Sequence, residues 1–479
     1  MADGLPLVRE LTIGSGAASL FECLRGRPYP FLLESSLLVE GLGRWSIMGA
    51  DPFLVLRSRD DRVTIESGGK SHTFEGDPLR ELRRLLALYR LEPGFLPFTG
   101  GAAGYFGYDL GRRLERLPAL AVDDLHLDDL CLGFYDRAVV VDGAGGAAWA
   151  VSNGFPETDP EARLDRARER LAGLEEVLAG GEGGESRPYG GPGADRPRSH
   201  FDRDGYCRAV QKVREYIAAG EIFQANISQR FSCLRTMDPW TVYRRLARIS
   251  PAPMAAFLGF PDVQVAGSTM ERFLKVNGSR VETRPIKGTR PRGRDAAGDG
   301  RLARELWQSS KDRAELVMIV DMERNDLGRV CRTGSVQVPE LFRLEAYATV
   351  YHLVATVTGE LAAGKDLVDL LAASFPGGSI SGAPKIRAME IIEEVEPVRR
   401  GIYTGSIGYL GFDGAADLNI VIRSLVFKDG WVHWQVGGGI TYDSDPYLEY
   451  LETLDKARAL FGALGLPEGE SRLWTSSRA

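Results

Sequence analysis

The sequence predicts an α+β fold, mainly antiparallel in its β-sheet, with the chain divided into two lobes. Strand-like and helix-like segments follow one another without the βαβ rhythm of a doubly wound fold. The 479 residues are 44% hydrophobic and 26% charged, enough to bury a large core. A stretch rich in glycine, proline and charge interrupts the chain at residues 180–199. Length and composition together predict two or three domains, or one large two-lobed protein.

The first part of the chain, residues 1–179, is predicted to form an N-terminal lobe. Short apolar runs bounded by turn signals indicate strands at 31–33, 53–56, 63–65 and 138–141. Helices are expected near 78–90 and at 160–179, and the second is amphipathic and ends at a glycine pair. Residues 180–199 then predict a flexible linker.

A second domain is predicted over residues 200–466, followed by a polar tail at 467–479. A helix is expected at 202–219, and residues 222–231 alternate as a strand does.

Charge and composition exclude several classes of function. A net charge of -7 and a pI near 5.6 argue against a nucleic-acid-binding surface. The five cysteines are few, odd in number and unclustered, which predicts free thiols in a reducing compartment. The chain shows neither a signal-peptide pattern nor an apolar run long enough to span a membrane. We therefore expect a cytoplasmic protein without nucleic-acid or membrane partners.

The segment 284–293 contains the candidate reacting group, Lys287. Pro285 and Pro291 bracket a predicted turn, and Gly288 allows a ligand to approach the backbone closely. Three arginines surround the lysine, and a lysine crowded by cations and partly desolvated has a lowered pKa. Such an amine can act as a nucleophile or base. The alternative is a solvated basic loop.

Two pairs of acidic residues suggest a binding site for a hard cation. Asp312 and Glu315 are spaced i, i+3 in a predicted helix, and Glu449, Glu452 and Lys456 share one face of another. Carboxylates from two helices would suit Mg²⁺. Acid pairs that are merely solvated or salt-bridged are the alternative.

Two further features remain open from the residues alone. The glycines 437–439 follow a predicted strand, and they form either an oxyanion-binding backbone or a plain tight turn. His352 lies in a strand-like run, where a buried structural histidine is the alternative to a functional one. The residues alone therefore predict a magnesium-assisted enzyme that acts on a small polyanion.

Eight segments, in this order, resemble the chorismate-utilising enzymes over nearly the whole chain. They are Leu32–Ser35, Gly43–Ser46, Gln224–Ser228, Glu271–Phe273, Pro285–Thr289, Ile319–Asp326, Ser381–Lys385 and Gly437–Glu452. The resemblance implies two antiparallel sheets packed as a sandwich with surrounding helices. It places a chorismate site between the sheets, within residues 200–466.

The resemblance also implies roles for individual residues. Glu315 and Glu452 would be magnesium ligands, with Asp312 and Glu449 supporting them through water. The implied contacts of chorismate are Arg423, Tyr403, Lys456, Gly437, Gly438 and Gly439 for the enolpyruvyl carboxylate, and His352 and Ser379 for the ring. Glu271 matches the family's general acid, which protonates the departing 4-hydroxyl, although Met270 stands where proline is usual.

Lys287 distinguishes the branches of this family. The branch that forms aminodeoxychorismate uses this lysine as a nucleophile, whereas anthranilate-forming members carry alanine. Isochorismate and salicylate synthases place a water-activating lysine in the strand that here reads Gln224–Asn226. This chain has no lysine in that segment. We therefore expect an aminodeoxychorismate-forming enzyme. Because the sequence shows no glutaminase domain, a glutamine amidotransferase subunit is the implied partner and ammonia source.

The N-terminal lobe resembles the family's tryptophan pocket at Glu34, Ser35 and Arg44, which makes tryptophan a further expected ligand. Two alternatives remain: component I of anthranilate synthase, and a catalytically idle, tryptophan-binding regulatory relative. The idle alternative conflicts with the intact Glu271, Lys287, Glu315 and Glu452.

Overall fold

The computed structural model describes residues 4–12, 16–180, 196–293, 295–347 and 350–466. Residues 181–195 of the predicted linker and the whole predicted tail, 467–479, lie outside these ranges.

Within the described ranges the chain forms 24 β-strands and 11 α-helices. The strands are β1 (Leu7–Leu11), β2 (Phe31–Glu34), β3 (Trp45–Gly49), β4 (Leu54–Arg59), β5 (Arg62–Ser67), β6 (Lys70–Glu75), β7 (Gly101–Phe106), β8 (Leu130–Tyr135), β9 (Arg137–Asp142), β10 (Ala148–Ser152), β11 (Arg198–Ser199), β12 (Gln224–Leu234), β13 (Met254–Gly259), β14 (Gln264–Thr269), β15 (Arg272–Asn277), β16 (Arg280–Arg284), β17 (Ile286–Pro291), β18 (Gln337–Ala346), β19 (Val350–Glu360), β20 (Gly382–Ala383), β21 (Ser406–Gly411), β22 (Ala416–Asn419), β23 (Ser424–Lys428) and β24 (Trp431–Ile440).

The helices are α1 (Ala17–Glu22), α2 (Pro78–Leu88), α3 (Gly111–Leu114), α4 (Pro160–Ala179), α5 (Arg203–Ala218), α6 (Pro239–Ile249), α7 (Ala296–Gln308), α8 (Ser310–Gly328), α9 (Leu367–Ser374), α10 (Lys385–Val395) and α11 (Pro446–Leu464). A short 3₁₀ helix, Gly378–Ile380, precedes β20.

The strands form two antiparallel sheets of 12 strands each. The first sheet has the order β1-β10-β9-β3-β2-β13-β14-β23-β24-β12-β11, and β20 also pairs with β12. The second has the order β17-β19-β16-β15-β22-β21-β7-β8-β4-β5-β6, and β18 also pairs with β19.

The two sheets pack face to face, with helices on their outer surfaces. Buried side chains from both sheets meet in one core, among them Ile47 and Val140 of the first sheet and Tyr105 and Ile407 of the second. Helices α1, α4, α6 and α11 cover the first sheet, and α2, α8 and α9 cover the second. The predicted α+β fold, a sandwich of two antiparallel sheets surrounded by helices, is confirmed.

Both sheets combine strands from before and after the predicted linker. In the first sheet β13 pairs with β2, and in the second β21 pairs with β7. The ranges predicted as an N-terminal lobe and a second domain therefore share both sheets and the core between them.

One predicted turn, and one glycine segment left open between a turn and an oxyanion-binding backbone, are strands in the structure. Residues 286–291 form β17, which pairs with β19 and shifts register between Lys287 and Thr289, where Gly288 has a φ of +81°. The glycines 437–439 continue β24 and pair with β12, Gly439 opposite Asn226. In both cases a partner strand remote in sequence overrides the local signal of glycine and proline.

The helix boundaries follow the local signals closely. Helix α4 begins after Asp159, whose side chain accepts a hydrogen bond from the amide of Ala162, and Gly180 follows its last residue. Helix α11 begins after Asp445, which caps it in the same way. None of the helices in the described ranges combines the length and apolar character that crossing a bilayer requires.

Candidate active site

The candidate residues converge where the ends of the two sheets face each other. Strands β17 and β19 come from the second sheet, and β12 and β24 from the first. Helix α8 packs on β17 and β19, and α11 packs on β24. Strands and helices therefore carry Lys287, His352, Glu315 and Glu452, and such rigid elements fix side chains better than loops would.

Lys287 is half-buried on β17, and its Nζ donates a hydrogen bond to the carbonyl oxygen of Ser379 at 3.1 Å. Burial lowers the pKa of this lysine and the charge of Lys456 lowers it further, against the opposing carboxylates of Glu315 and Glu271. A larger fraction of the amine is consequently neutral than at an exposed lysine.

The three arginines near Lys287 do not act as predicted. Each forms an ion pair with a carboxylate: Arg284 with Glu345 at 2.5 Å, Arg290 with Asp312 at 3.1 Å, and Arg292 with Asp299 at 2.7 Å. These carboxylates compensate the charges of the arginines. The sequence analysis attributed the lowered pKa of Lys287 in part to crowding by arginine, whereas in the structure burial is its main cause. Asp312, predicted to support a metal through water, is held by Arg290.

Glu271 lies between β14 and β15 and is only 5% exposed. Burial raises its pKa to about 7, although a hydrogen bond from the Ser379 side chain and the charge of Lys287 oppose the shift. A carboxyl with this pKa still carries its proton in much of the population at neutral pH, as a general acid must. Ser379 contacts both reacting groups, one through its carbonyl and one through its side chain.

Three carboxylates lie on the helices beside Lys287. Glu315 of α8 has its pKa raised by burial and, in smaller part, by the negative charges of Asp312 and then of Glu452 of α11. Glu449 also has a raised pKa because it is buried, and it accepts a hydrogen bond from the Ser444 hydroxyl at 2.6 Å. Glu452 pairs with Lys456 at 2.7 Å, which lowers the pKa of this glutamate.

The chemistry of these donors fits a hard divalent cation. Glu315 and Glu452 repel each other, and a cation between them would remove that repulsion. Gly438 leaves space beside them, since a Cβ there would lie 3.2 Å from Glu449 Oε2 and 3.7 Å from Glu452 Oε1. No group of three or more His, Cys, Asp or Glu side chains in the described part of the chain is arranged as a complete metal site.

Positive charge is available for an anionic ligand at Arg423. Its backbone has a φ of +50°, and burial lowers the pKa of its guanidinium to about 10. In the described ranges no carboxylate pairs with it. Tyr403 lies close to the loop that carries Arg423. The amide of the next residue, Thr404, donates a hydrogen bond to the carbonyl oxygen of Val421 in that loop. Lys456 donates to the carbonyl oxygen of Gly437 at 2.8 Å.

His352 is 3% exposed on β19, and its Nδ1 lies 3.0 Å from the Thr289 hydroxyl. Burial, followed by the charge of Arg423, lowers the pKa of His352 to about 3, so its ring is neutral. Its Nε2 has no hydrogen-bond partner among the described residues. The ring therefore offers one free polar atom in a buried setting.

Two buried residues to which the sequence analysis assigned no role of their own belong to this region. Gln224 of β12 is fully buried, and neither side-chain polar atom has a partner in the described structure. A Cβ on Gly439 would lie 1.8 Å from Gln224 Nε2 and 3.3 Å from Lys287 Nζ. Glu323 of α8 is 7% exposed. Its place in the apolar stripe of the helix is the signal that could have revealed it.

Glu34, Ser35 and Arg44 line a separate cavity of about 470 Å³. Glu34 accepts a hydrogen bond from the Tyr243 hydroxyl at 2.5 Å, and burial raises the pKa of this carboxyl. Arg44 pairs with Asp142 at 2.6 Å. The three predicted residues thus share one cavity.

Comparison with known proteins gives a consistent result. The family model described as chorismate binding enzyme matches residues 34–462. Aminodeoxychorismate synthase component 1 of Bacillus subtilis is 40% identical over 454 residues, 94% of this chain and 94% of that protein. Anthranilate synthase component 1 of Thermus thermophilus is 43% identical over 443 residues, 92% of this chain and 93% of that protein.

A solved structure matches the fold as well. Anthranilate synthase component I from Streptococcus pneumoniae superposes with a TM-score of 0.76 at 31% identity, covering 88% of this chain and 93% of that one. The match of the family model over most of the chain agrees with the convergence of Lys287, Glu271 and the three carboxylates at the sheet ends. The chain therefore belongs to the chorismate binding enzyme family.

Proposed function

We propose that the protein is component I of an aminodeoxychorismate synthase, which converts chorismate and ammonia to 4-amino-4-deoxychorismate for 4-aminobenzoate and folate synthesis. One observation carries this assignment: the half-buried amine of Lys287 shares Ser379 as a hydrogen-bonding neighbour with the acid Glu271. A nucleophile and an acid are thereby placed together in a buried site.

In the proposed reaction the Lys287 amine attacks C2 of chorismate while both ring double bonds shift toward C4, where the bond to the hydroxyl breaks. The 4-hydroxyl leaves as water after it takes the proton of Glu271. Ammonia then adds at C4, the bond between Lys287 and C2 breaks, and the new ammonium loses a proton. Chorismate and ammonia thus yield aminodeoxychorismate and water, and the lysine is regenerated.

The charged groups around Lys287 suit a substrate with two carboxylates. Arg423, Tyr403, Lys456 and the backbone of Gly437–Gly439 would hold the enolpyruvyl carboxylate. His352 and Ser379 would lie against the ring. Glu315 and Glu452, supported by Asp312 and Glu449, would hold Mg²⁺, which supplies positive charge that neutralises the ring carboxylate.

Ammonia would come from a glutamine amidotransferase subunit, the proposed protein partner. We further propose that the enzyme works in the cytoplasm. Cys23, Cys131, Cys207 and Cys331 are free thiols in the structure, as suits a reducing compartment.

The direct test is incubation of the pure protein with chorismate, magnesium and ammonium, followed by identification of the product. We expect aminodeoxychorismate, which yields 4-aminobenzoate only after a lyase is added. A product that forms 2-aminobenzoate without a lyase would contradict the assignment.

Anthranilate synthase component I is the second candidate, because the Thermus thermophilus relative of that name is 43% identical. Lys287 disfavours it, since anthranilate-forming members are expected to carry alanine at this position. The same product analysis separates the two candidates.

A further inference from the structure

A buried ion pair between Arg400 and Glu396 lies beside the 3₁₀ helix and takes no part in the reaction described above. Both side chains are 2% exposed, and Arg400 Nη2 lies 2.7 Å from Glu396 Oε1. Such a pair adds little net stability, because the cost of removing two charges from water offsets their attraction. Its role is therefore to be found in what the two side chains hold.

All five N–H groups of the Arg400 guanidinium donate hydrogen bonds. Two go to the carboxylate of Glu396, from Nε at 2.9 Å and from Nη2 at 2.7 Å. The other three go to the carbonyl oxygen of Ile380 at 3.0 Å, the hydroxyl of Thr404 at 3.4 Å and the carbonyl oxygen of Asn226 at 2.7 Å. Because arginine has five N–H donors, its hydrogen-bonding capacity is used in full. Arg400 thus joins β12, the 3₁₀ helix and the segment before β21.

Glu396 attaches this pair to β12. Its Oε1 accepts hydrogen bonds from the backbone amide of Ser228 at 2.7 Å and from the Ser228 hydroxyl at 2.9 Å. Ser228 lies two residues after Asn226, on the same face of the strand. The carboxylate therefore fixes the guanidinium relative to the strand, close to the carbonyl group of Asn226 that Arg400 binds.

The same network holds Ser379, whose neighbour in the 3₁₀ helix supplies a carbonyl to Arg400. Asn226 Nδ2 donates to the Ser379 carbonyl oxygen at 3.2 Å. Lys287 Nζ donates to that same oxygen at 3.1 Å, and the Ser379 side chain hydrogen-bonds Glu271. A shift of Ser379 would therefore disturb the amine and the carboxyl together.

We propose that the Arg400–Glu396 pair positions Ser379, so that this residue orients both reacting groups. In the described structure the pair hydrogen-bonds neither Lys287 nor Glu271, so its members are positioning residues. The inference rests on the proposed function, in which the lysine attacks the substrate and the glutamic acid releases a proton. Displacement of reacting groups by about 1 Å can lower a rate about a hundredfold.

The titration of the two reacting groups distinguishes positioning from a purely structural role. A carbonyl that accepts from Lys287 favours the charged amine, and a hydroxyl that donates to Glu271 favours the charged carboxylate. If Ser379 moves away, the pKa of Lys287 should fall and the pKa of Glu271 should rise. The other charged groups that face Lys287 stay the same in every variant: Glu315, Lys456 and Glu452. A loss of folded protein alone changes neither pKa.

The test compares Arg400→Lys with wild type and with Arg137→Lys, the same change at another buried arginine. Lysine keeps the positive charge beside Glu396 but cannot also hold two backbone carbonyls. Arg137 lies on β9, is 7% exposed at its side chain and pairs with Asp51 at 2.6 Å. We expect both variants to have lower melting temperatures. Only Arg400→Lys should lose about tenfold or more in kcat and shift both titrations.

Two measurements follow the titrations without turnover. Competitive acetylation read by mass spectrometry reports the pKa of Lys287, and carbon-13 NMR of labelled glutamate side chains reports that of Glu271. Both remain valid if product analysis refutes the proposed function.

Wild-type titrations of both groups, or a wild-type kcat, in a folded Arg400→Lys protein would overturn the inference. The same shifts in Arg137→Lys would overturn it as well. If Arg400→Lys does not fold, the double variant Arg400→Met/Glu396→Gln takes its place. It leaves no uncompensated charge at the pair and keeps an acceptor for Ser228, and it is expected to show the same losses.

Discussion

At the scale of single residues, the reactivity of Lys287 depends on its burial. The neighbouring arginines are each paired with a carboxylate, so what lowers the pKa of the lysine is first the loss of water around it and then the charge of Lys456. The sequence singled out the lysine as a candidate reacting group. It could not show the arginine partners, because Glu345, for example, lies 61 residues from Arg284.

Replacing Lys287 with alanine should lower kcat by about a hundredfold or more and leave chorismate affinity nearly unchanged. The nucleophile is lost while the acid and the cationic groups remain, the pattern of an interaction made only in the transition state. Steady-state kinetics and calorimetric chorismate binding would test this. Lys70→Ala, at an exposed lysine of β6, is the matched control. Full turnover in Lys287→Ala would exclude the covalent role.

The raised pKa of Glu271 predicts a fall in activity as pH rises. The acid must carry its proton to act, and its pKa is about 7, so kcat/KM should decline about tenfold per pH unit above that value. Lys287 must be neutral to act as a nucleophile. Protonation of its amine should therefore lower activity as the pH falls. His352, with a pKa of about 3, does not titrate in this range. A profile flat between pH 7 and 9 would contradict the assignment of Glu271.

At the scale of elements, the two helices α8 and α11 act together by presenting Glu315 and Glu452. Glu315→Gln and Glu452→Gln should each abolish turnover and weaken Mg²⁺ binding without unfolding the chain, because each replaces an anionic ligand by a neutral near-isostere. Asp455→Asn, on α11 and 67% exposed at its side chain, is the control. Activity, calorimetric Mg²⁺ titration and melting temperature are the measurements. Retained activity in either variant would remove that residue from the proposed site.

The bulge of β17 at Gly288 is a second feature of this scale. An alanine there would adopt a φ of +81° and place its Cβ 2.8 Å from Leu306 and 2.9 Å from Asp312. Gly278→Ala is matched, since its φ is +59° and nothing lies within 4 Å. Both changes should cost about 1 kcal/mol in backbone strain.

Only Gly288→Ala should, in addition, displace α8 and lose activity. Chemical denaturation would measure the loss of stability in both variants. Turnover would show whether the steric clash at Gly288 also lowers activity. Equal activity in both variants would show that the bulge does not position Lys287.

The elements differ in how well the sequence predicts them. Helices α4 and α11 carry their own start signals in Asp159 and Asp445, so local reasoning places them correctly. Residues 286–291 of β17 read locally as a turn, whereas β24 was predicted as a strand only as far as its glycines. Their pairing with β19 and β12 depends on residues far away in sequence, which no local signal reveals. Gln224 and Glu323 lie in segments on which the family resemblance rests, although neither side chain was given a role of its own.

At the scale of the whole molecule, the two sheets make the parts of the chain depend on each other. Residues 196–466 alone would leave β13 without β2 and β21 without β7, exposing two strand edges and a large apolar face. We expect this fragment to aggregate when it is expressed alone. Co-expression with residues 1–180 should restore solubility and chorismate turnover, measured by gel filtration and product assay. A soluble, active fragment 196–466 would show that the first strands are dispensable.

The cavity lined by Glu34, Ser35 and Arg44 predicts an effect on the stability of the whole protein. A ligand that binds only the folded state stabilises it by about 2.7 kcal/mol at 100 times its Kd. Tryptophan, the proposed ligand, should therefore raise the melting temperature, and Glu34→Ala should abolish the shift. The nearby exposed Glu40→Ala is the control. If saturating tryptophan left the melting temperature unchanged, the cavity would not be a tryptophan-binding site.

The distribution of each sheet over the chain also constrains how the protein is made. Glu452 belongs to α11, the last described helix, and β12 and β24 meet strands from the first 160 residues within one sheet. A nascent chain still held by the ribosome before α11 emerges has no complete site. Pairing between such distant segments makes folding slow compared with that of a protein built from local contacts. Activity should consequently appear only some time after synthesis ends, when the last helix has packed on the completed sheets.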